Sequence, residues 1–145
     1  MALTQKYSIM CDDVRQENNG KFIVIGMYIN NMTVTQLPVT LPSLHFFNLL
    51  EADRLGSYML RAKVENAETG RLLAQAMVMI QANVAPKLPA AVVVGARFPN
   101  VQFDRAGSYT FTLTVEGERE PIVIMPFDLV LVIPVAPPQQ QQGIM

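Results

Sequence analysis

Among the side chains able to carry covalent or acid–base chemistry, Cys11 and His45 are each the sole member of their kind. A cysteine or serine nucleophile needs a base within hydrogen-bond reach, so His45 would have to serve every candidate. No G-x-S-x-G elbow, P-loop, G-x-G-x-x-G or Cys/His cluster with metal spacing occurs. Asp12, Asp13 and Glu17 with Asn18 and Asn19 gather oxygen ligands, yet they lack the alternating acid and glycine order of a calcium loop. They read as a solvated strand end in which Arg15 pairs with a neighbouring carboxylate. The residues therefore predict no catalytic set, no metal ligand and no cofactor. Cys11 is read as a small buried hydrophobe and His45 as a partly buried structural residue. The expected protein is not an enzyme.

The elements that would position any site are β-strands. Residues 104–118 state a turn, a strand and a second turn: Tyr109, Phe111, Leu113 and Val115 alternate with Thr110, Thr112, Thr114 and Glu116. Gly107 ahead of Tyr109 suits a tight turn, and a tyrosine opening a strand after such a turn is a mark of the tyrosine corner of immunoglobulin-like sandwiches. Asp104, Gly107 and Tyr109 form this expected structural corner. Phe111 stands where an antibody-type domain has its second cysteine. The fold class predicted is all-β: a single immunoglobulin-like antiparallel β-sandwich, or a jelly-roll-like variant, without a disulfide. Residues 1–134 form that domain.

Further strands follow from the pattern. Residues 6–12 alternate weakly and lead through Asn18-Asn19-Gly20 to residues 22–29, apolar on both faces apart from Gly26. That run predicts a deeply buried central strand, its glycine marking a bulge or close approach. Residues 30–43 read as a loop with a short Thr-rich strand, and 44–50 as a third long strand. Residues 57–83 form a hairpin in which Tyr58, Leu60, Ala62 and Val64 face one way and Met59, Arg61, Lys63 and Glu65 the other. On the return arm Leu72, Ala74, Ala76, Val78 and Ile80 turn inward and Leu73, Gln75, Met77, Met79 and Gln81 outward. The composition of this arm also suits a helix. Residues 90–98 form a strand with a bulge at Gly95, and the strand near Pro126 lies at an edge or bulge because proline cannot donate.

The opening residues carry a resemblance. Cys11-Asp12-Asp13-Val14-Arg15-Gln16-Glu17, Asn19-Gly20-Lys21 and Ile25-Gly26-Met27-Tyr28 resemble the start of a family of small bacterial proteins of unknown function that open C-D-D-x-R-x-E, G-G-K and G-x-Y. Leu41-Pro42, Thr69-Gly70, the Phe103 to Tyr109 turn and the Val115 to Glu118 hairpin extend the similarity over most of residues 8–120. The resemblance implies an immunoglobulin-like sandwich and brings no activity, cofactor or catalytic residue.

Composition narrows the partner. At 145 residues the chain can bury a full core, and a net charge of −1 without a basic run gives counterion release little to act on, which excludes nucleic acid. The apolar stretch 122–135 is shorter than a bilayer span and holds Pro126, Asp128 and Pro134, so no membrane is predicted. Residues 1–8 hold no apolar signal core, and the chain is expected in the cytoplasm or in a particle assembled there. A hydrophobic fraction of 50% with only 16% charged residues leaves apolar surface to spare. That surface is assigned to Leu73, Met77 and Met79, where the return arm lacks charge, and to a Pro/Gln tail, residues 135–145, with Pro137, Pro138, Gln139 and Gln140 as partner-binding residues. The function predicted is a structural or docking protein that self-associates or joins a larger protein assembly, such as a decoration subunit of a phage virion. The alternative is a module that grips a small molecule or carbohydrate with loops around Pro38, Pro42 and Asp104.

Overall fold

The structure is a computed structural model that describes residues 3–29, 31–82 and 89–133. The tail residues Pro137, Pro138, Gln139 and Gln140 lie outside the described residues. Nine strands and no helix occur among those described: β1 Leu3–Gln16, β2 Phe22–Tyr28, β3 Asn31–Val34, β4 Val39–Ala52, β5 Gly56–Asn66, β6 Leu72–Ala82, β7 Ala90–Phe103, β8 Gly107–Val115 and β9 Val123–Leu131. They form a four-stranded sheet in the order β2-β1-β4-β7 and a five-stranded sheet in the order β3-β9-β8-β5-β6. The two sheets pack face to face as an immunoglobulin-like β-sandwich, and the lone cysteine, Cys11, is free. All pairings are antiparallel except β3 with β9, which is parallel. The helical option for residues 72–82 is excluded by the β5–β6 ladder.

The core is built from the alternation seen in the sequence. On β8 the side chains of Tyr109, Phe111 and Leu113 are buried, and they meet Leu44, Phe46 and Leu50 of β4 across the sandwich. Phe46 and Phe111 stack with ring centroids 4.0 Å apart at an interplanar angle of 4°. Antibody domains place the disulfide that ties their sheets at this point, and here two phenyl rings tie them instead. Phe98 meets both rings edge-on, and Phe103, Tyr109 and Phe127 form a second aromatic group beside them. The Tyr109 hydroxyl donates to the Arg105 carbonyl at 2.7 Å, bonding back four residues upstream as a tyrosine corner does. The buried polar side chain Asn48 is satisfied: its amide donates to the Phe46 and Val94 carbonyls, and its Oδ1 accepts from Ser8.

Three expectations need correction. Residues 22–29 are not a central strand. β2 pairs only with β1, it ends the four-stranded sheet, and most of its residues are exposed. An apolar run left largely exposed among the described residues reads the same in sequence as one covered on both sides. Gly95 makes no bulge, because β4 and β7 keep one register through Phe47 opposite Gly95. It gives room instead: a Cβ there would stand 2.6 Å from Nε2 of His45. On β6 the inward and outward alternation holds from Ala74 to Ala82 but shifts at the register break between Val64 and Glu65.

The rings at the sheet interface set the largest mutational costs. Phe111→Ala should lose about 3 to 5 kcal/mol in urea unfolding, whereas Tyr109→Phe, which removes only the corner hydroxyl, should lose about 1 kcal/mol. Losses of equal size would show that the Phe46–Phe111 stack is not the anchor between the sheets.

Candidate functional site

Strand pairing brings together the lone cysteine and the lone histidine, which lie far apart in sequence. Cys11 of β1 is directly opposite His45 of β4, which in turn is opposite Arg97 of β7. Burial pushes the Cys11 thiol up to about 11, and the charges of Asp12 and Asp13 add to the effect. The protonated thiol is the weakly nucleophilic form. Both ring nitrogens of His45 are buried without a hydrogen-bond partner. Burial lowers the pKa of His45, Arg97 lowers it further, and Asp13 opposes them. No bond joins thiol to imidazole, so the pair lacks the contact that activates a nucleophile.

The acidic segment does structural work. The Tyr28 hydroxyl donates to Oδ1 of Asp12 at 2.7 Å, and Ser43 donates to the Asp12 carbonyl at 2.8 Å. Burial and this bond to a carboxylate raise the Tyr28 pKa. Gly26, at φ +66°, lies against Asp12, and a Cβ there would overlap the carboxylate. The C-D-D and G-x-Y segments are thus two sides of one clasp holding β2 to β1. Arg15 takes part in none of the ion pairs found among the described residues. No group of three or more His, Cys, Asp or Glu able to hold a metal ion occurs among those residues. No helix among them is long and apolar enough to cross a membrane.

At the corner, Arg71 meets Asp104 at 3.3 Å and Gln102 donates to the same carboxylate at 3.0 Å. Asn66, Thr69, Arg105 and the buried Tyr109 complete a cavity of about 190 Å³. Small-molecule sites usually exceed about 300 Å³. Gly107, at φ +143°, opens β8 beside this corner.

The structure holds two apolar edge strands. On β6, Met77 and Met79 are 47% and 62% exposed, opposite Arg61 and Met59 of β5. Leu73 does not share their face: at the register break it packs against the core and lines the corner cavity, while Leu72, opposite Glu65, is the exposed leucine. Parity counted through a bulge inverts, which is why the sequence pattern chose the wrong leucine. On β2, Ile23, Ile25 and Met27 are 44%, 38% and 55% exposed, and Ile29 just beyond is more so. This second strand was read as buried, and the one signal for it is that no charged residue occurs from position 22 to position 50. Next to it Met10, Met27, Tyr28, Ile29, Met125 and Phe127 line an apolar groove of about 360 Å³. Since β6 packs against β7 at the far end of the other sheet, β2 and β6 occupy opposite flanks of the sandwich.

Residues 6–126 match the model of a family of unknown function, DUF6941. The chain belongs to that family. No curated protein matches it. Among solved structures, a β-glucosidase from Listeria innocua in complex with glucose aligns at 11% identity and a TM-score of 0.42, covering 72% of this chain and 15% of the enzyme. The same organism's enzyme with gluconolactone aligns at 10% and 0.44, over 88% and 17%, and the GH3 β-glucosidase of Bifidobacterium adolescentis at 12% and 0.41, over 92% and 19%. This member of DUF6941 thus spans less than a fifth of the length of those enzymes.

His45 makes stability depend on pH. Its folded pKa lies below the ordinary 6.5, so the unfolded chain takes up the proton first, and stability is fully present above that value and declines below it until the lowered folded pKa is passed. The melting temperature of the parent should therefore fall from about pH 7 to about pH 5 more than that of His45→Gln. Parallel curves for the two proteins would refute this. Cys11→Ala should fold, and in the parent iodoacetamide should modify Cys11 only under denaturing conditions.

Proposed function

We propose that this member of DUF6941 is a non-enzymatic structural or docking subunit of a protein assembly, in the manner of an accessory or decoration subunit of a particle such as a phage virion. One observation carries the reading: two apolar edge strands, β2 and β6, on opposite flanks of one small sandwich. A subunit that joins neighbours on two sides needs separate surfaces, and a single isologous patch would stop at a dimer. Edge strands of free-standing proteins are usually blunted with charge, proline or cover. β2 has no charge or proline along its length and no strand on its outer edge among the described residues, and on β6 the sequence from Leu72 to Ala82 contains no charge. Met77 and Met79, with Leu72 in place of Leu73, form the second contact face, and methionine adapts to irregular partners.

The C-D-D, N-G-K and G-x-Y opening fits this role, since it builds the hairpin and clasp that present β2. Cytoplasm, or a particle assembled there, is the place in which such a subunit works. The carbohydrate or small-molecule alternative is less well supported, because the corner cavity by Asp104 is small and its aromatic residue, Tyr109, is buried.

The test is the mass of the tagged chain in a gently prepared extract of its native source, by native gel or size exclusion. The parent should migrate with a complex far heavier than 16.1 kDa. Met77→Glu combined with Met79→Lys should shift it to lower mass while leaving the melting temperature within a few degrees. A parent that runs as a free single chain or as a simple dimer in its native extract would sink the proposal.

A further inference from the structure

We infer that β2 pairs with β2 of a second copy, antiparallel and centred on Ile25, so that two four-stranded sheets join into one of eight strands. This rests on the docking reading above and names the partner of one of its two surfaces. The free edge of β2 sets the kind of occupant. Among the described residues β2 is bonded to β1 on one side only, which leaves main-chain amides and carbonyls along its outer edge that another extended strand can pair. Charge sets the class of strand. Nothing from position 22 to position 50 bears a charge, so an acidic or basic peptide finds no complement there, whereas a second copy brings an equally uncharged strand.

The sequence of β2 is self-complementary about its middle. Its seven residues run from Phe22 to Tyr28 with Ile25 at the centre. Antiparallel pairing on that centre sets Ile25 against Ile25, Ile23 against Met27 and Phe22 against Tyr28 of the other copy. Val24 falls opposite Gly26, which has no side chain to obstruct it. The exposed Ile23, Ile25 and Met27 of each copy then close into one apolar stripe, the cross-strand arrangement that most stabilises a sheet. Phe22 of the second copy arrives beside Tyr28, at the rim of the groove lined by Met10, Ile29 and Met125. The two Lys21 residues lie at opposite ends of the paired segment and do not face each other. The Asp12–Tyr28 bond and the close fit of Gly26 hold β2 in place before any partner arrives, so little order has to be gained on pairing.

Light scattering on the purified protein should give twice the chain mass, and Ile25→Lys should halve it without changing the circular dichroism spectrum. Should that variant fail to fold, cysteine pairing decides: in a Cys11→Ala background, Ile25→Cys should oxidise to a linked dimer, Ile23→Cys alone should not, and Ile23→Cys mixed with Met27→Cys should. A monomeric parent overturns the inference, and so does a dimer that survives Ile25→Lys or fails to link through position 25. A monomeric parent that still migrates as a heavy complex in its native extract overturns this pairing alone and leaves the docking reading standing.

Discussion

The stack of Phe46 on Phe111 is the contact on which the rest of the sandwich depends. Strands β4 and β8 belong to different sheets, and without a disulfide their separation is set by side chains alone. Two rings lying flat at 4.0 Å fix that spacing at the centre, and Phe98 and Phe127 pack around Phe46 at the sides. Tyr109 does a different job one turn of the pleat away: its ring joins the core and its hydroxyl pins the loop that precedes β8. A sandwich held by rings does not depend on an oxidising compartment, and the buried, protonated Cys11 is suited to staying reduced.

With the sandwich secured at its centre, the β1–β2 hairpin is free to serve another end. β1 pairs with β4 through Cys11 and with β2 from Met10 onward, so most of the hairpin is not bonded to β4. Ser43 of β4 still reaches the Asp12 carbonyl where β1 parts from it, and Phe22 meets Phe47 edge-on at 5.2 Å. These contacts cover Cys11 and Phe47 on the side of the sheet away from the core. The Asp12–Gly26–Tyr28 clasp therefore has a reason that a reading of its carboxylates as metal ligands misses: the acid is spent on a tyrosine hydroxyl and the glycine on making room for the acid.

Much of the fold was legible because alternation is a strong signal when one face of a strand is wet. The Thr residues of β8 and the charges of β5 face outward and name the inward face by elimination. The same logic failed twice. At β2 both faces are apolar, so no wet face was marked, and burial was inferred where the structure has exposure. At Leu73 the alternation was counted through a bulge, which depends on the pairing of β5 with β6 and is not encoded in either strand alone. The meeting of Cys11 with His45 was also beyond reach, since it follows from the register of β1 on β4 across some thirty intervening residues.

These failures point in one direction. A run without charge is ambiguous between core and contact surface because the same transfer free energy drives side chains into either, at roughly 25 cal/mol for each Å² removed from water. What separates them is whether the rest of the chain supplies the cover. For β4 it does, through β7 on one side and β8 across the core. For β2 the described chain supplies β1 as its one paired strand and leaves Ile23, Ile25 and Met27 exposed, although they are of the type that elsewhere in this sandwich is enclosed. Solubility alone would favour lysine or glutamate at such positions, as β5 has in Lys63 and Glu65. Retaining isoleucine and methionine on an open edge is costly for a solitary protein and useful for one whose neighbour completes the sheet.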